Sequence, residues 1–479
     1  MQNKKISRAL ISVSDKSGIV ELANELIKRD IEIISSDGTA ATLRESGIQV
    51  RTVTEITGAP EILGGKVKTL HPVIHGALLV DQDDPAQLAE LKVLGPIDLL
   101  IINLYPTSGF DIGGPALTRA AAKNCVHVSV ITNPNQYPEL VASLDVGTSL
   151  EQRQKWAFAA LLLTAEYDFA LLKERGLELR YGENSQQSGA LIASHLDEVL
   201  QGKAMSYNNY LDLDAAWRAA TFCEDSVAIV KHGIPSGISK SPEPLTALNA
   251  AWSCDPISAF GGVIATTHVV NEQFASALIK NFVEVVAAPD FTGEALKVFA
   301  TKSNLRVVKL NPNSTSKTQL RSIRNGYLIQ SADDLNNAGD DFNNWKLVSG
   351  SPVDSETQEE LLFAWHAAAA ARSNAIVIVG KSKGEEITAV GIGAGSVSRV
   401  DAAKLAIWRA NQYSPGKLAN SVAASDAFFP FPDGVQELAA AGVRAIVQPG
   451  GSLKDEAVIQ AAQSAGITMY LTGVRHFSH

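Results

Sequence analysis

Cysteine is scarce. Cys125, Cys223 and Cys254 are the only three in 479 residues, and none belongs to a C-x-x-C pair. That spacing disfavours a disulfide framework and a zinc ribbon, and it fits a reducing cytoplasm. No apolar run reaches the ~18 residues of a membrane span. The N-terminal MQNKKISRALISVSDK carries Lys4 and Lys5, but its apolar stretch is too short and broken for a secretory signal. Positive charge is not in excess: the net charge is −10 and the pI about 5.5. Broad binding to nucleic acid or to an anionic membrane is therefore not expected, and an anionic substrate must be held by local donors. Hydrophobic residues, at 46% against 19% charged, are enough for a large core and argue against disorder. The length predicts about three domains at roughly 150 residues each.

The first 130 residues alternate strand and helix patterns. Residues 9–13 read as a buried strand, broken at Ser14-Asp15-Lys16-Ser17-Gly18, where Asp15 or Ser17 is placed to cap a helix. Ile19, Leu22, Ala23, Leu26 and Ile27 then repeat at a helical period. Residues 31–34 form the next strand, and Ser35-Ser36-Asp37-Gly38-Thr39 opens a second helix. Residues 98–104 and 126–132 are further strands. This alternation predicts an α/β fold with a parallel sheet covered by helices. Ligands of such sheets sit at the carboxyl ends of the strands, where free N–H groups at helix starts favour anions. Residues 146–175 read as a helix bridging to a second α/β region, with strands at 227–231, 375–379, 445–447 and 468–471. Ser226-Val-Ala-Ile-Val weakly echoes Ser373-Asn-Ala-Ile-Val, and residues 254–260 faintly echo 425–429, so two related halves are one reading of this region. Residues 311–318 and 336–344 are polar and read as surface loops.

Several segments carry chemistry-bearing residues. Lys66-Val67-Lys68-Thr69-Leu70-His71-Pro72 follows Gly64-Gly65. Such a set can hold a phosphate and polarise a carbonyl, or it is a solvated basic turn. His71 and His75 stand four apart, as helical zinc ligands do, but Pro72 and Gly76 weaken the helix and no acidic third ligand is near, so no metal is expected. Asp111 lies twelve residues before Lys123. The two can relay a proton if they converge, and otherwise Asp111 caps a helix. Lys231-His232 ends a buried strand. Histidine there can take a proton from an amine nucleophile and lysine can stabilise negative charge, unless the pair faces solvent at a sheet edge. Gly391-Ile-Gly393-Ala-Gly395-Ser396 fails as a dinucleotide loop, because Ser396 stands at the third glycine position. Arg399 and Arg475 can meet a phosphate or carboxylate, or can be surface cations.

Taken in order, these segments resemble one family. Ser12-Val-Ser14-Asp15-Lys16, Lys66-Val-Lys68-Thr-Leu-His71-Pro, Asn103-Leu-Tyr105-Pro and Ala122-Lys123-Asn124 are similar to its IMP cyclohydrolase domain. Arg180-Tyr181-Gly-Glu-Asn184, Ser206-Tyr-Asn208-Asn209, Lys231-His232, Asp255-Pro-Ile-Ser-Ala-Phe260, Ser373-Asn374-Ala, Ser398-Arg399-Val-Asp401, Ser425-Asp426-Ala-Phe-Phe-Pro and Arg475-His476-Phe477 are similar to its AICAR transformylase domain. The resemblance, to the bifunctional AICAR transformylase/IMP cyclohydrolase family of purine biosynthesis, spans nearly the whole chain. It implies a methylglyoxal-synthase-like cyclohydrolase domain at 1–145 and a helical bridge at 146–175. Two cytidine-deaminase-like transformylase subdomains without catalytic metal would follow at 176–340 and 341–479. The implied activity is formyl transfer from the co-substrate 10-formyltetrahydrofolate to AICAR, then dehydrating closure of formyl-AICAR to IMP, by a cytoplasmic homodimer.

The same resemblance carries residue roles. Ser14, Lys16, Ser36, Thr39 and Thr69 match nucleotide-binding positions, and Lys68, Tyr105, Asp111 and Lys123 match the proton-relay and oxyanion group. Lys231 and His232 match the catalytic pair and Asn374 a further active-site position. Arg180, Tyr181, Asn209, Asp255, Phe260, Arg399 and Arg475 match substrate contacts. The chain also departs from the pattern. Gln186 stands for a histidine, Ile234 for an asparagine, Ser396-Val397 for Gln-Met and His366 for a lysine. Asp37 brings a carboxylate toward the expected phosphate, and the connection from Tyr105 to Asp111 is short. The first four departures point to slower formyl transfer beside intact ring closure.

Overall fold

Ala9, Leu10 and Ile11 are all buried in strand β1 (Arg8–Ser12), although successive side chains of a strand face opposite ways. A strand buried on both faces belongs in mid-sheet with helices on each side. The computed structural model has this arrangement. It describes residues 3–60, 62–63, 67–193, 196–311, 317–380 and 386–479, which divide into two units, Met1–Gly176 and Leu177–His479.

In the first unit β2 (Glu32–Ser35), β3 (Arg51–Thr52), β4 (Leu99–Ile102) and β5 (Ser129–Ile131) join β1 in a parallel sheet of order β3-β2-β1-β4-β5. Ala9 and Ile11 pack with α1 (Ile19–Ile27) and α2 (Asp37–Glu45). Leu10 packs on the other face with α3 (Pro72–Leu79) and α4 (Gly113–Lys123). The start of α1 differs from expectation. Its N-cap is Gly18, at φ 68, with no side-chain cap. The Asp15 carboxylate instead accepts the Ser17 N–H at 2.9 Å and its hydroxyl at 2.6 Å, which closes the turn before the helix. The segment read as a bridge is α5 (Leu150–Arg175), opened by a Ser149/Gln152 capping box. It lies within the first unit: Trp156 is buried on one face of the sheet and Ala157 and Ala160 on the other.

The second unit is built on a twelve-stranded sheet. Its first half runs β6 (Glu198–Gln201), α6 (Tyr207–Thr221), β7 (Ser226–Lys231), β8 (Ile234–Lys240), α7 (Pro244–Cys254), β9 (Val263–Thr266), α8 (Glu272–Leu278), β10 (Val285–Ala288), α9 (Gly293–Phe299) and β11 (Arg306–Lys309). The second half runs β12 (Lys346–Ser349), α10 (Ser355–Ala369), β13 (Ile376–Val379), β14 (Ile387–Gly393), α11 (Arg399–Tyr413), β15 (Ser421–Ser425), α12 (Asp433–Ala440), β16 (Val443–Gln448), α13 (Asp455–Ser464) and β17 (Thr468–Leu471). The order is β12-β17-β16-β15-β13-β14-β8-β7-β9-β10-β11-β6. Outward from the antiparallel seam, where Ser239 faces Thr388 and Lys240 faces Ile387, both halves give their third, second, fourth, fifth, sixth and first strands. The second unit is therefore an internal duplication. The Ser226 echo lies in β7, and its counterpart from Ser373 runs into the equivalent strand β13, with Ile376 and Val377 inside it. The other echo does not fall on equivalent strands, because residues 254–260 precede the fourth strand and residues 425–429 follow it.

The glycines of the failed dinucleotide loop serve packing. A Cβ at Gly391 would lie 2.1 Å from the Ala406 carbonyl of α11 and one at Gly393 1.9 Å from the Ala402 carbonyl, and in the first half one at Gly237 would lie 1.9 Å from the Ala251 carbonyl of α7. Residues 336–344, expected as a surface loop, form two short turns and bury Asp340. Part of the other polar stretch, 312–316, lies outside the described residues. From Thr318 the chain forms an exposed ribbon, Thr318–Ile323 paired with Gly326–Ser331.

Candidate active sites

The first unit's strand order reverses between β1 and β4, which opens a crevice at their carboxyl ends. One side chain bridges it. Asn103, just after β4, accepts the N–H groups of Ser14 and Asp15 on its Oδ1 at 2.5 and 2.9 Å, and donates from Nδ2 to the Asp15 carbonyl at 2.8 Å. Ser14 and Lys16 are thereby held exposed at the end of β1. Ser36 is the N-cap of α2 with no side-chain cap bond. The first N–H groups of a helix are the ones its own carbonyls leave without partners, and such groups suit an anion. Thr39 has a different part. Fully buried, it accepts the Val13 N–H and donates to the Val13 carbonyl, both at 3.2 Å, tying α2 to the end of β1.

Beyond β4 lie Tyr105 and Asp111. The Asp111 carboxylate accepts the Gly114 N–H at 2.7 Å, capping the first turn of α4, and the Tyr105 N–H at 3.3 Å. The Asp111 N–H donates to the Tyr167 hydroxyl of α5 at 2.8 Å. Thr69 is buried against the same helix start: a Cβ at Gly113 would lie 3.0 Å from its Oγ1. The structure thus gathers Ser14, Lys16 and Asn103 across the crevice, and Tyr105, Asp111 and Thr69 about the start of α4, with half-buried Lys68 next in the chain. It does not bring Lys123 to Asp111. Lys123 is the exposed last residue of α4, separated from that carboxylate by roughly 15 Å of helix. Lys66 lies outside the described residues. His71 accepts the Val73 N–H on Nδ1 at 3.2 Å as the cap of α3, which is a structural use of that histidine.

In the second unit Lys231 and Ile234 pair across a two-residue connection, so His232 and Gly233 are the central residues of the β7–β8 hairpin. Both have positive φ, 56 and 69, as tight hairpin turns that follow the strand twist require. The exposed imidazole of His232 therefore projects from a turn at the sheet's end. Asp212 of α6 accepts the Gly233 N–H at 2.6 Å. The Lys231 Nζ donates to the Phe260 carbonyl at 2.8 Å, and the exposed Phe260 ring packs on Phe282 with centroids 5.4 Å apart. The antiparallel seam carries this turn toward the end of β14, where a Cβ at Gly395 would lie 3.5 Å from Ile234 Cδ1. Asn374 stands there. Its Nδ2 donates to the Ser396 and Val397 carbonyls at 2.9 and 3.1 Å.

Other expected contacts are spent inside the protein. Arg399 is buried. It pairs with Asp426, which has no exposed surface, and donates to Ser425 Oγ and Asn374 Oδ1, each at 2.7 Å. It thus meets a carboxylate, but the protein's own. Asn209 closes a capping box with Ser206 at the start of α6. Asp255 caps residues 256–259 by accepting the Ser258 N–H at 2.9 Å, and lies 3.7 Å from the Arg409 guanidinium. Arg180 stacks on Tyr181 at 4.6 Å and donates to its hydroxyl at 3.0 Å, and the exposed Arg475 stacks on Phe477 at 4.5 Å. Gln186 is exposed, and its neighbour Gln187 orders the loop by accepting the Asn184 N–H at 2.9 Å. Sequence reasoning missed Asp212. It reads as one polar residue of an amphipathic helix, and no spacing marks it as facing a turn.

Family models match the chain twice: the AICARFT/IMPCHase bienzyme over residues 121–409 and the MGS-like domain over residues 18–130. The bifunctional purine biosynthesis protein PurH of Mycobacterium marinum (strain ATCC BAA-535 / M) is 44% identical over 525 residues, covering 99% of this chain and 99% of its own. PurH of Mycobacterium ulcerans (strain Agy99) matches with the same identity and coverage. A solved structure, that of ForH, is 31% identical and covers 35% of this chain and 97% of its own at a TM-score of 0.32, too low to carry an argument.

Proposed function

The chain belongs to the AICARFT/IMPCHase bienzyme family, and on that premise we propose how its residues divide two consecutive reactions. The enzyme transfers a formyl group from 10-formyltetrahydrofolate to AICAR and then closes formyl-AICAR, with loss of water, to IMP. The observation that carries this is the 44% identity to PurH across 99% of both chains, which favours the full bifunctional enzyme over ring closure alone.

Formyl transfer belongs to the β7–β8 turn. The AICAR amine is a weak nucleophile because its lone pair is delocalised into the imidazole ring. His232 accepts the proton this amine loses, and Lys231 supplies positive charge beside it. Asn374 orients the reactants. Arg180, Tyr181, Phe260 and Arg475 are the substrate contacts of this region. Asn209, Asp255 and Arg399 act behind them, as a helix cap, a turn cap and the buried support of Asn374. Ring closure belongs to the β1–β4 crevice. It is intramolecular, so the site folds the substrate and stabilises a tetrahedral oxyanion. Ser14, Lys16 and Ser36 hold the phosphate, while Lys68, Thr69 and Tyr105 face the reacting atoms. Thr39 and Asp111 position the Ser14 turn and Tyr105. A direct Asp111–Lys123 relay forms no part of this proposal. Residues 1–145 with α5 make the cyclohydrolase, and the duplicated halves 176–340 and 341–479 make the transformylase.

A homodimer and a cytoplasmic location complete the proposal. Leu320, Ile323, Leu328 and Ile329 are exposed on a two-stranded ribbon, which supports association because such ribbons are marginal without cover. The three cysteines are unpaired, and among the described residues no helix is long and apolar enough to cross a membrane.

The test follows IMP and tetrahydrofolate from AICAR and 10-formyltetrahydrofolate, and IMP from supplied formyl-AICAR. His232→Ala is expected to lower formyl transfer about 10²- to 10⁴-fold and to leave ring closure unchanged. Equal loss of both reactions in folded protein would defeat the two-site division.

A further inference from the structure

Arg399, expected from sequence as a substrate contact, is occupied by Asp426 and is not available to substrate. A different arginine is. Arg372 lies two residues before Asn374 and is exposed. Among the described residues no carboxylate, carbonyl or ring holds its guanidinium. The side chain is nevertheless not extended into solvent. A Cβ at Gly233 would lie 2.7 Å from one Nη, 3.1 Å from Nε and 3.2 Å from Cζ. The planar group therefore lies against the backbone of the turn that carries His232, in space that only glycine leaves open. Its own backbone is fixed, since the Arg372 carbonyl accepts the Gly395 N–H at 2.7 Å. Lys231, the other cation of the turn, directs its Nζ to the Phe260 carbonyl.

We propose that Arg372 is a catalytic residue of formyl transfer and holds the oxygen that becomes negative as the amine adds to the formyl carbon. The inference rests on the assignment of this turn to formyl transfer. In the step, the AICAR nitrogen forms a bond to the formyl carbon of 10-formyltetrahydrofolate. The carbonyl π pair moves to oxygen, and His232 takes the proton from nitrogen. When the alkoxide collapses, the bond from the formyl carbon to N10 of the folate breaks, and N10 takes the proton that His232 had accepted. Formyl-AICAR and tetrahydrofolate leave. The alkoxide exists only between reactants and products, so a guanidinium placed for it accelerates the step without tightening the ground state.

Arg372→Ala and the similarly sized, neutral Arg372→Gln test this in the full-length enzyme. Each is expected to lower kcat for formyl transfer about 10²- to 10³-fold, with KM for AICAR and for 10-formyltetrahydrofolate held within about threefold. Ring closure of formyl-AICAR should not change. Arg372→Lys restores charge but not the planar fork, so it should recover roughly tenfold of the loss. A kcat within about threefold of the parent for Arg372→Gln, or a loss confined to KM, overturns the proposal. Survival of formyl transfer in His232→Ala would instead remove the assignment of the turn on which the proposal stands.

Discussion

A histidine at φ 56 occupies backbone space that costs a non-glycine residue of order 1–3 kcal/mol unless its surroundings impose it. At His232 the imposing group is Asp212, whose carboxylate holds the next N–H at 2.6 Å. Asp212→Ala should loosen the turn and lower formyl transfer about 10- to 100-fold, a 1 Å misplacement being enough for that. Ring closure should stay intact. Asp212→Asn keeps an acceptor oxygen and should retain most of the rate. An Asn variant as slow as Ala would show that the charge of Asp212 matters, not its place as acceptor. The same side chain marks the limit of what the sequence displays. Lys231-His232 stood out as polar residues ending an apolar strand, whereas Asp212, Asp426 and Arg372 gave no such contrast. Asn209, Asp255 and Arg399 did match a pattern, but capping boxes and buried ion pairs use the residue types that bind ligands, and only contacts tell the two apart.

At the scale of elements, α5 decides whether the first unit can stand alone. Trp156 has no exposed surface and packs with Ile19, Leu22 and Tyr137. Arg153 donates to the Cys125 and Val126 carbonyls at 2.9 Å, satisfying the loop before β5. A fragment ending at Gly176 should therefore be soluble and close formyl-AICAR, while one ending at Gly147 should aggregate. Trp156→Ala in the longer fragment should cost about 3–5 kcal/mol, read by chemical denaturation. A soluble, active 1–147 fragment would show that the helix is an appendage. The sequence showed this helix plainly through its period, but not its attachment, because a helix apolar on more than one side reads equally as a bridge and as a packed wall. The duplication was visible only where β7 and the chain entering β13 share the pattern Ser-x-Ala-Ile-Val. Elsewhere the halves keep topology and the alternation of buried positions while changing the residues, and topology leaves no local trace in sequence.

Across the whole molecule, the C-terminal residues return to the twelve-stranded sheet and are fastened there by a buried charge. The His476 N–H donates to the Asp426 carbonyl at 3.0 Å, and the Ser373 N–H donates to the Ser478 carbonyl at 2.8 Å, next to Asn374. The His476 ring lies between two carboxylates, with Nδ1 2.8 Å from Asp333 and Nε2 2.7 Å from Asp340. A ring that donates from both nitrogens is an imidazolium. Burial pulls its pKa down, but the bonds it donates to Asp333 and Asp340 outweigh this and push it from 6.5 up to about 9. Burial raises Asp340, and the bonds from His476 and Trp365 outweigh that and hold it at about 2. The signs set the window. A group whose pKa is raised on folding stabilises fully below its unfolded value, so the His476 contribution is complete below pH 6.5 and is lost as pH rises through 9. The Asp340 contribution is complete above its unfolded value of 3.8 and is lost as pH falls through 2. Both act fully between about pH 4 and 6.5. His476→Gln leaves a carboxylate buried without its charge partner, which costs about 3–5 kcal/mol. Melting curves of the parent and His476→Gln between pH 5 and 10 read this as a difference, so groups titrating elsewhere cancel. The parent should be well above the variant at pH 6, and the two should converge by pH 10. A constant gap across that range would mean that His476 fills space in the core and that its proton contributes nothing to holding the C-terminal residues in place.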